Sequence, residues 1–426
     1  MKYDIIIIGA GAAGLLAMRD LAKTGYHVCM LEAFGIAGGR ISGIKEDFEN
    51  YVETGAEFIH GKLPFTFQLL KEAGLSYEAV EGKMIGVQQG QWQSEDHYAH
   101  WDEFMQQLRK LKTDITILQF LEENFSSPEY IHLRQAVQRF SEGFDLADIS
   151  KASILSVKKE WEDIDKKQYR IKGGYIQLID HLVNSCRQLN TELYFDTCVN
   201  KIDHEEGNVT VHTTDNKKFH ANKLIITVSA GVLQSGTIQF KPALTDHAIA
   251  IQGLGFGTVI KFLLEFKTSF WKEFDDETGF LLTDEEIPTW WTQLPAESNL
   301  LTGWLGGPNA TKKIFEPDSS LLQTALLSLS SIFRIPPAML QEELKNYKII
   351  NWLNQPYIKG GYSYSTLHSE KAKGILASPV NNTIYFAGEA ISRSESQGTV
   401  ESALQSGHDT AKMLIESFQI EKQKHQ

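Results

Sequence analysis

The chain has 426 residues, long for one simple core and suited to two or three lobes. Its net charge of −13 includes no basic block able to follow a phosphate backbone, which argues against a nucleic-acid partner. Its three cysteines, Cys29, Cys186 and Cys198, form no CxxC pair, so neither a disulfide framework nor a structural metal site is expected, and the compartment is expected to be the reducing cytoplasm. No run reaches the roughly 18 uninterrupted apolar residues of a membrane span.

In chain order, the first element is the apolar run Lys2–Ile8, short and unbroken as in a buried parallel strand. "GAGAAG" follows at once, placing Gly9, Gly11 and Gly14 at GxGxxG spacing. The first glycine permits a tight turn, the second lets backbone approach a pyrophosphate, and the third lets a helix pack closely on the strand. A helix from Ala12 to Ala22 would then present free N–H groups to the phosphates. "YHVCMLE" predicts a second strand ending at Glu32, about 20 residues on, where a carboxylate holds a ribose hydroxyl. Strand, helix, strand and acid together indicate dinucleotide binding, without separating NAD from FAD. In "GIAGGRI", Gly38, Gly39 and Arg40 suit the other side of a diphosphate; the alternative is a plain loop with a solvated arginine.

Residues 254–266, "LGFGTVIKFLLEF", predict a strand after a Gly-rich turn. Ile260, Phe262, Leu264 and Phe266 make one apolar face. Lys261 faces the other way with Val259, Leu263 and Glu265. Either that second face is wet, or Lys261 faces a cavity where chemistry happens. Further on, Thr383–Phe386 reads as a short strand, followed by Ala387, Gly388 and Glu389. A helix is expected from about Thr399, with Val400, Ala403, Leu404, Gly407, Ala411 and Leu414 on one face. Gly398 and Thr399 would lie at its N-terminus, where an anion is favoured.

These segments, with "AGGR", "ETGAEFIHG", "GGYIQLIDHL", "TVSAGVLQSGTIQFKPAL", "WLNQPYIKGGYSYS" and "FAGEAISRSESQGTVESALQSG" in order, resemble the flavin-containing amine oxidases nearly end to end. That family includes monoamine oxidases, polyamine oxidases and lysine-specific histone demethylases; "ETGAEFIHG" is most similar to the polyamine oxidases. The resemblance implies an α/β fold: a discontinuous Rossmann-like FAD-binding domain, residues 1–82, 171–236 and 355–426, and an α+β substrate-binding domain, residues 83–170 and 237–354. It implies FAD, with Gly9, Gly11, Gly14, Glu32, Gly39, Arg40, Gly55, Ala56 and Thr399 around it. Val199 would meet the adenine end, Trp352 the isoalloxazine, and Gly388, Glu389 and Val400 the flavin and its ribityl-phosphate chain. Lys261 would stand over flavin N5 through a water, facing the reaction site.

Departures from the family pattern shape the remaining expectations. Covalent relatives attach flavin through a Cys after a Gly-Gly pair, but Tyr362 follows Gly360 and Gly361, so FAD is expected to be non-covalent. The two-tyrosine cage is incomplete; His60, Tyr362 and Thr399 are the candidates to line the substrate pocket. Amino acid oxidases of this fold hold the substrate carboxylate with an arginine where this chain has Phe58, so an amine without an α-carboxylate is expected, with Arg134 and Arg139 as possible replacements. The expected partners are a small amine and O₂. A flavin desaturase, a porphyrinogen-type oxidase, an L-amino acid oxidase and a flavin-free escort protein remain as alternatives. The acidic stretches 161–165 and 275–277 would either attract a polyamine or form solvated faces.

Overall fold

The computed structural model describes residues 2–61, 63–93, 99–161, 167–394 and 396–424. A mostly parallel eight-stranded sheet runs Thr191–Tyr194, Val28–Leu31, Lys2–Ile8, Lys218–Ile226, Asn208–Thr213, Val199–Glu205 and Gln239–Lys241, with Ile384–Phe386 also beside Lys218–Ile226. Lys2–Ile8 is covered on both sides, which explains its unbroken apolar run. Ile5 and Ile7 join the core under the helices Ala12–Lys23, Ile176–Arg187 and Val400–Lys424; Ile6 and Ile8 join the core on the opposite face.

Register decides where this sheet can bind anything. Ile8 pairs with Leu31 and with Ile226, and Ile226 pairs with Phe386, so four parallel strands end along one line. The turns beyond them carry Gly9, Glu32, Thr227 and Gly388, at the carboxyl edge where open α/β sheets take ligands. Gly9 turns with φ +105, a conformation that favours glycine, and Thr227 Oγ1 donates to the Ile8 and Gly9 carbonyls at 2.9 and 3.0 Å.

A second, seven-stranded sheet runs Leu344–Asn351, Val259–Phe266, Leu300–Gly306, Thr289–Trp291, Thr278–Thr283, Lys83–Gln88 and Gln91–Gln93. All eight residues of Val259–Phe266 are buried, so neither face of this strand is wet. Ile260, Phe262, Leu264 and Phe266 pack with Leu326, Leu329 and Phe333 of the helix Asp318–Phe333. Val259 and Leu263 belong to a different cluster with Leu146, Ile350 and Trp352. A small sheet of Ile59–His60, Gln168–Ile171 and Tyr77–Ala79 lies between the chain segments of the two large ones. No helix among the described residues is long and apolar enough to cross a membrane.

The helix Val400–Lys424 seats on the first helix through Gly407, where a Cβ would lie 2.2 Å from the Ala13 carbonyl oxygen. Gly407→Ala should therefore force the helices apart and cost about 1–3 kcal/mol, as overpacking against backbone does. A lowered urea midpoint is expected; an unchanged midpoint would contradict this contact.

Candidate active site

A cavity of about 1290 Å³ starts at the carboxyl edge of the first sheet and continues to the strand that carries Lys261. Of the residues expected to hold the cofactor, to line the substrate pocket or to act at the flavin, all but one line it. The exception, Gly14, seats the helix on the strand: a Cβ there would lie 2.1 Å from the Gly9 carbonyl oxygen.

One end suits a dinucleotide. No side chain caps the helix Ala12–Lys23 at its N-terminus, and a Cβ on Gly11 would meet nothing within 4 Å, so backbone N–H groups face open cavity. The buried Glu32 carboxylate is fixed by the amides of Ala10 at 2.6 Å and Phe34 at 2.8 Å. Arg40 lines the cavity, but its Nη1 is committed to protein: it donates at 2.7 Å to both the Gly361 carbonyl and Glu389 Oε1. Glu389 also accepts from Ser363 Oγ at 2.6 Å. Thr399 caps the helix Val400–Lys424, accepting from the Ser402 amide at 3.2 Å and donating to the Ser396 carbonyl at 2.6 Å.

At the other end, Trp352 donates from Nε1 to the Thr54 carbonyl at 3.1 Å, which sets its ring against Gly55. Lys261 is fully buried. Its Nζ donates to Glu57 Oε2 at 2.9 Å and to the Gly55 carbonyl at 3.3 Å, and it lies 5.5 Å from the centre of the Trp291 ring. Glu57 Oε1 accepts from Arg170 Nε and Trp291 Nε1, both at 3.0 Å. Arg170 also donates to the Leu294 and Thr292 carbonyls. Burial alone would hold Glu57 protonated, but Lys261 and Arg170 outweigh it and bring its carboxyl down to about 2. Close by, burial pushes the Glu53 carboxyl up to about 7, against the Tyr175 amide that donates to it at 2.5 Å.

Around Lys261 the walls are aromatic: Phe58, Phe144, Phe280, Trp291, Trp304 and Tyr362. The Phe58 ring lies 5.6 Å from Trp291 and 5.9 Å from Phe280, and Trp304 lies 5.8 Å from Trp291 and 6.4 Å from Tyr362. The Tyr362 hydroxyl donates to the Phe144 carbonyl. His60 packs against Phe58 and Phe144 at 6.0 and 5.8 Å. Arg139 lines the cavity, whereas Arg134 donates to the Phe125 and Ser127 carbonyls and lies off it. Asp275 and Glu277 pair with Lys83 at the surface, and of residues 161–165 only Trp161 lies within the described chain. Glu57, Arg170 and Trp291 were not singled out from the sequence. The one available signal was the glutamate inside "GAEF", an acid amid apolar neighbours.

Comparisons with known proteins accord with this geometry. The family model for flavin containing amine oxidoreductases matches residues 91–415, and one for an NAD(P)-binding Rossmann-like domain matches residues 7–73. The chain therefore belongs to the flavin containing amine oxidoreductase family, and its fold is of the α/β class with a Rossmann-like dinucleotide-binding part. Lysine-specific histone demethylase 1B of Mus musculus is 26% identical over 443 residues, covering 95% of this chain and 52% of its own length. Polyamine oxidase 4 of Oryza sativa subsp. japonica is 25% identical over 442 residues, covering 95% and 87%. The chain thus spans about half the length of several of the histone demethylases it matches. Among solved structures, putrescine oxidase bound to putrescine superposes with TM-score 0.82 at 21% identity, covering 97% of this chain and 99% of that one. Cyclohexylamine oxidase from Brevibacterium oxydans IH-35A gives 0.81 at 22%, covering 98% and 100%. At such identities these two likenesses speak for the fold.

With Tyr362 after Gly360 and Gly361, no thiol stands where covalent attachment would need one. Acid precipitation should leave yellow FAD in the supernatant; colour retained in the washed pellet would refute non-covalent binding.

Proposed function

We propose that this protein oxidises an amine that carries no α-carboxylate. Hydride leaves the carbon next to an uncharged nitrogen, the imine hydrolyses, and O₂ is reduced to H₂O₂. FAD, when bound, supplies the hydride acceptor and the route to O₂. The observation that carries this reading is the aromatic chamber around Lys261, with Phe58 standing where a carboxylate-binding arginine would be.

The chain's own residues divide the remaining work. Gly9, Gly11 and the start of the helix Ala12–Lys23 would hold the pyrophosphate, Glu32 the ribose, and Val199 the adenine end. Gly39, Arg40, Gly55, Ala56 and Trp352 would hold the ring system and diphosphate, and Gly388, Glu389, Thr399 and Val400 the ribityl side. Residues 1–82, 171–236 and 355–426, with most of the first large sheet, would form the cofactor lobe, and the rest the substrate lobe, although the edge strand Gln239–Lys241 of that sheet falls just beyond the expected boundary at 236. His60 and Tyr362 would orient the substrate. Apolar rings exclude water and favour the neutral amine, so no dedicated base is required. Lys261 would place a water and a positive charge at the reaction centre.

Arg139 favours a second reading, an amino acid substrate. It lines the same cavity, and its guanidinium has no hydrogen-bond or ion-pair partner among the described residues. Matched pairs separate the two: phenethylamine with phenylalanine, and cadaverine with lysine, scored by H₂O₂ release. The amines should be turned over at least tenfold faster in kcat/KM, because a carboxylate buried against Phe58 lacks its partner. Equal turnover of the amino acids would refute the proposal.

Lys261→Met should slow flavin reoxidation by about 10- to 1000-fold, or roughly 1.4–4 kcal/mol of barrier, with a smaller effect on anaerobic reduction by substrate. Unchanged reoxidation in stopped flow would remove Lys261 from the mechanism.

A further inference from the structure

Lys261 is not a lone cation at the cavity wall. Its ammonium and the Arg170 guanidinium share one carboxylate, Glu57, whose two oxygens are both engaged: Oε2 by Lys261, Oε1 by Arg170 and Trp291. Glu57 and Lys261 have side chains 5% and 0% exposed, so water contributes little to holding either charge. We infer that Glu57 is a positioning residue for Lys261, holding its ammonium in place and charged at the cavity wall, and that Arg170 and Trp291 in turn fix Glu57. This rests on the reading of Lys261 given above.

The charge count makes the role specific. Two cations and one anion leave this site with a single net positive charge. Without Glu57, two cations would share a dry pocket. Arg170 cannot shed its proton, so Lys261 must. The other groups facing Lys261 cannot take over. Glu53 senses it electrostatically, but burial keeps that carboxyl partly protonated near neutrality. Glu265, on the same face of the strand, is held by the Glu49 amide, Asn346 and Lys345. Across the sheet the register partners of Lys261 are Trp304 and Ile350, neither of which titrates in the working range.

The test uses the FAD-loaded protein and Glu57→Gln, which keeps the size of the side chain and an acceptor for Arg170 and Trp291. Visible flavin absorption and stopped-flow reoxidation are followed from pH 6 to 10. E57Q should show, as the pH is raised, a spectral transition that wild type lacks over the same range, above which reoxidation drops at least tenfold, toward the rate of Lys261→Met. The spectral transition should vanish in the E57Q/K261M and E57Q/K261R double variants, because neither carries a titrating group at 261. Glu57→Asp, which retracts the charge by one methylene, should give that transition at higher pH than E57Q does, and it carries the test if E57Q does not accumulate. Curves for E57Q or E57D that match wild type, or an E57Q transition that survives removal of Lys261, would overturn the proposal. The spectral arm needs no amine, so a failure to oxidise any amine would sink the proposed function without touching this inference.

Discussion

A dry cavity cannot hold a lone charge, and the ion cluster centred on Glu57 is how this protein meets that constraint. Glu57 sits just before the small strand Ile59–His60, Arg170 lies on its partner Gln168–Ile171, and Lys261 and Trp291 lie on two strands of the seven-stranded sheet. One carboxylate therefore ties the small sheet to the large one. Removing one member of a buried ion group leaves the others uncompensated, at a cost of roughly 3–5 kcal/mol. The cluster also explains how Lys261 can be charged with no solvent contact.

A second ion pair lies in the wall of the same cavity. Arg40 reaches Gly361 and Glu389, 321 and 349 positions away in sequence, and Glu389 accepts from Ser363. Glu389 follows directly from the strand Ile384–Phe386, whose register with Lys218–Ile226 puts it at the carboxyl edge. The nucleotide end is thus positioned by strand register and helix N-termini, and the reaction end by ion pairs. The first is cheap to encode locally; the second depends on the finished fold.

That difference accounts for what the sequence revealed. GxGxxG, Glu32 and the apolar strand are local patterns with fixed spacing, and the structure puts a parallel strand, a turn and a helix where they stand. The strand around Lys261 was also legible, but whether its second face was wet could not be told from alternation. Both faces proved covered, because Val259 and Leu263 pack under Trp352 and Leu146 from remote segments. Glu57, Arg170 and Trp291 escaped notice for the same reason. Their meaning lies in contacts across 113, 204 and 234 positions, which no periodicity encodes. Arg40 was read as a diphosphate ligand or a solvated loop arginine; the structure shows it bracing Glu389.

The net charge of the whole chain and that of the cluster around Lys261 point in opposite directions. A net charge of −13 gives the exterior a field that attracts ammonium ions from solution. At the aromatic chamber, Glu57 is paired with both Lys261 and Arg170, which leaves that cluster with one net positive charge, and Glu389 is paired with Arg40. An amine moving inward loses hydration and approaches positive charge, and both effects lower its pKa. On the proposed reading, the proton is shed on the way in, and the nitrogen reaches the aromatic chamber in the uncharged form that can release hydride. Deprotonation would then be a property of the gradient between surface and cavity, with no single side chain acting as base.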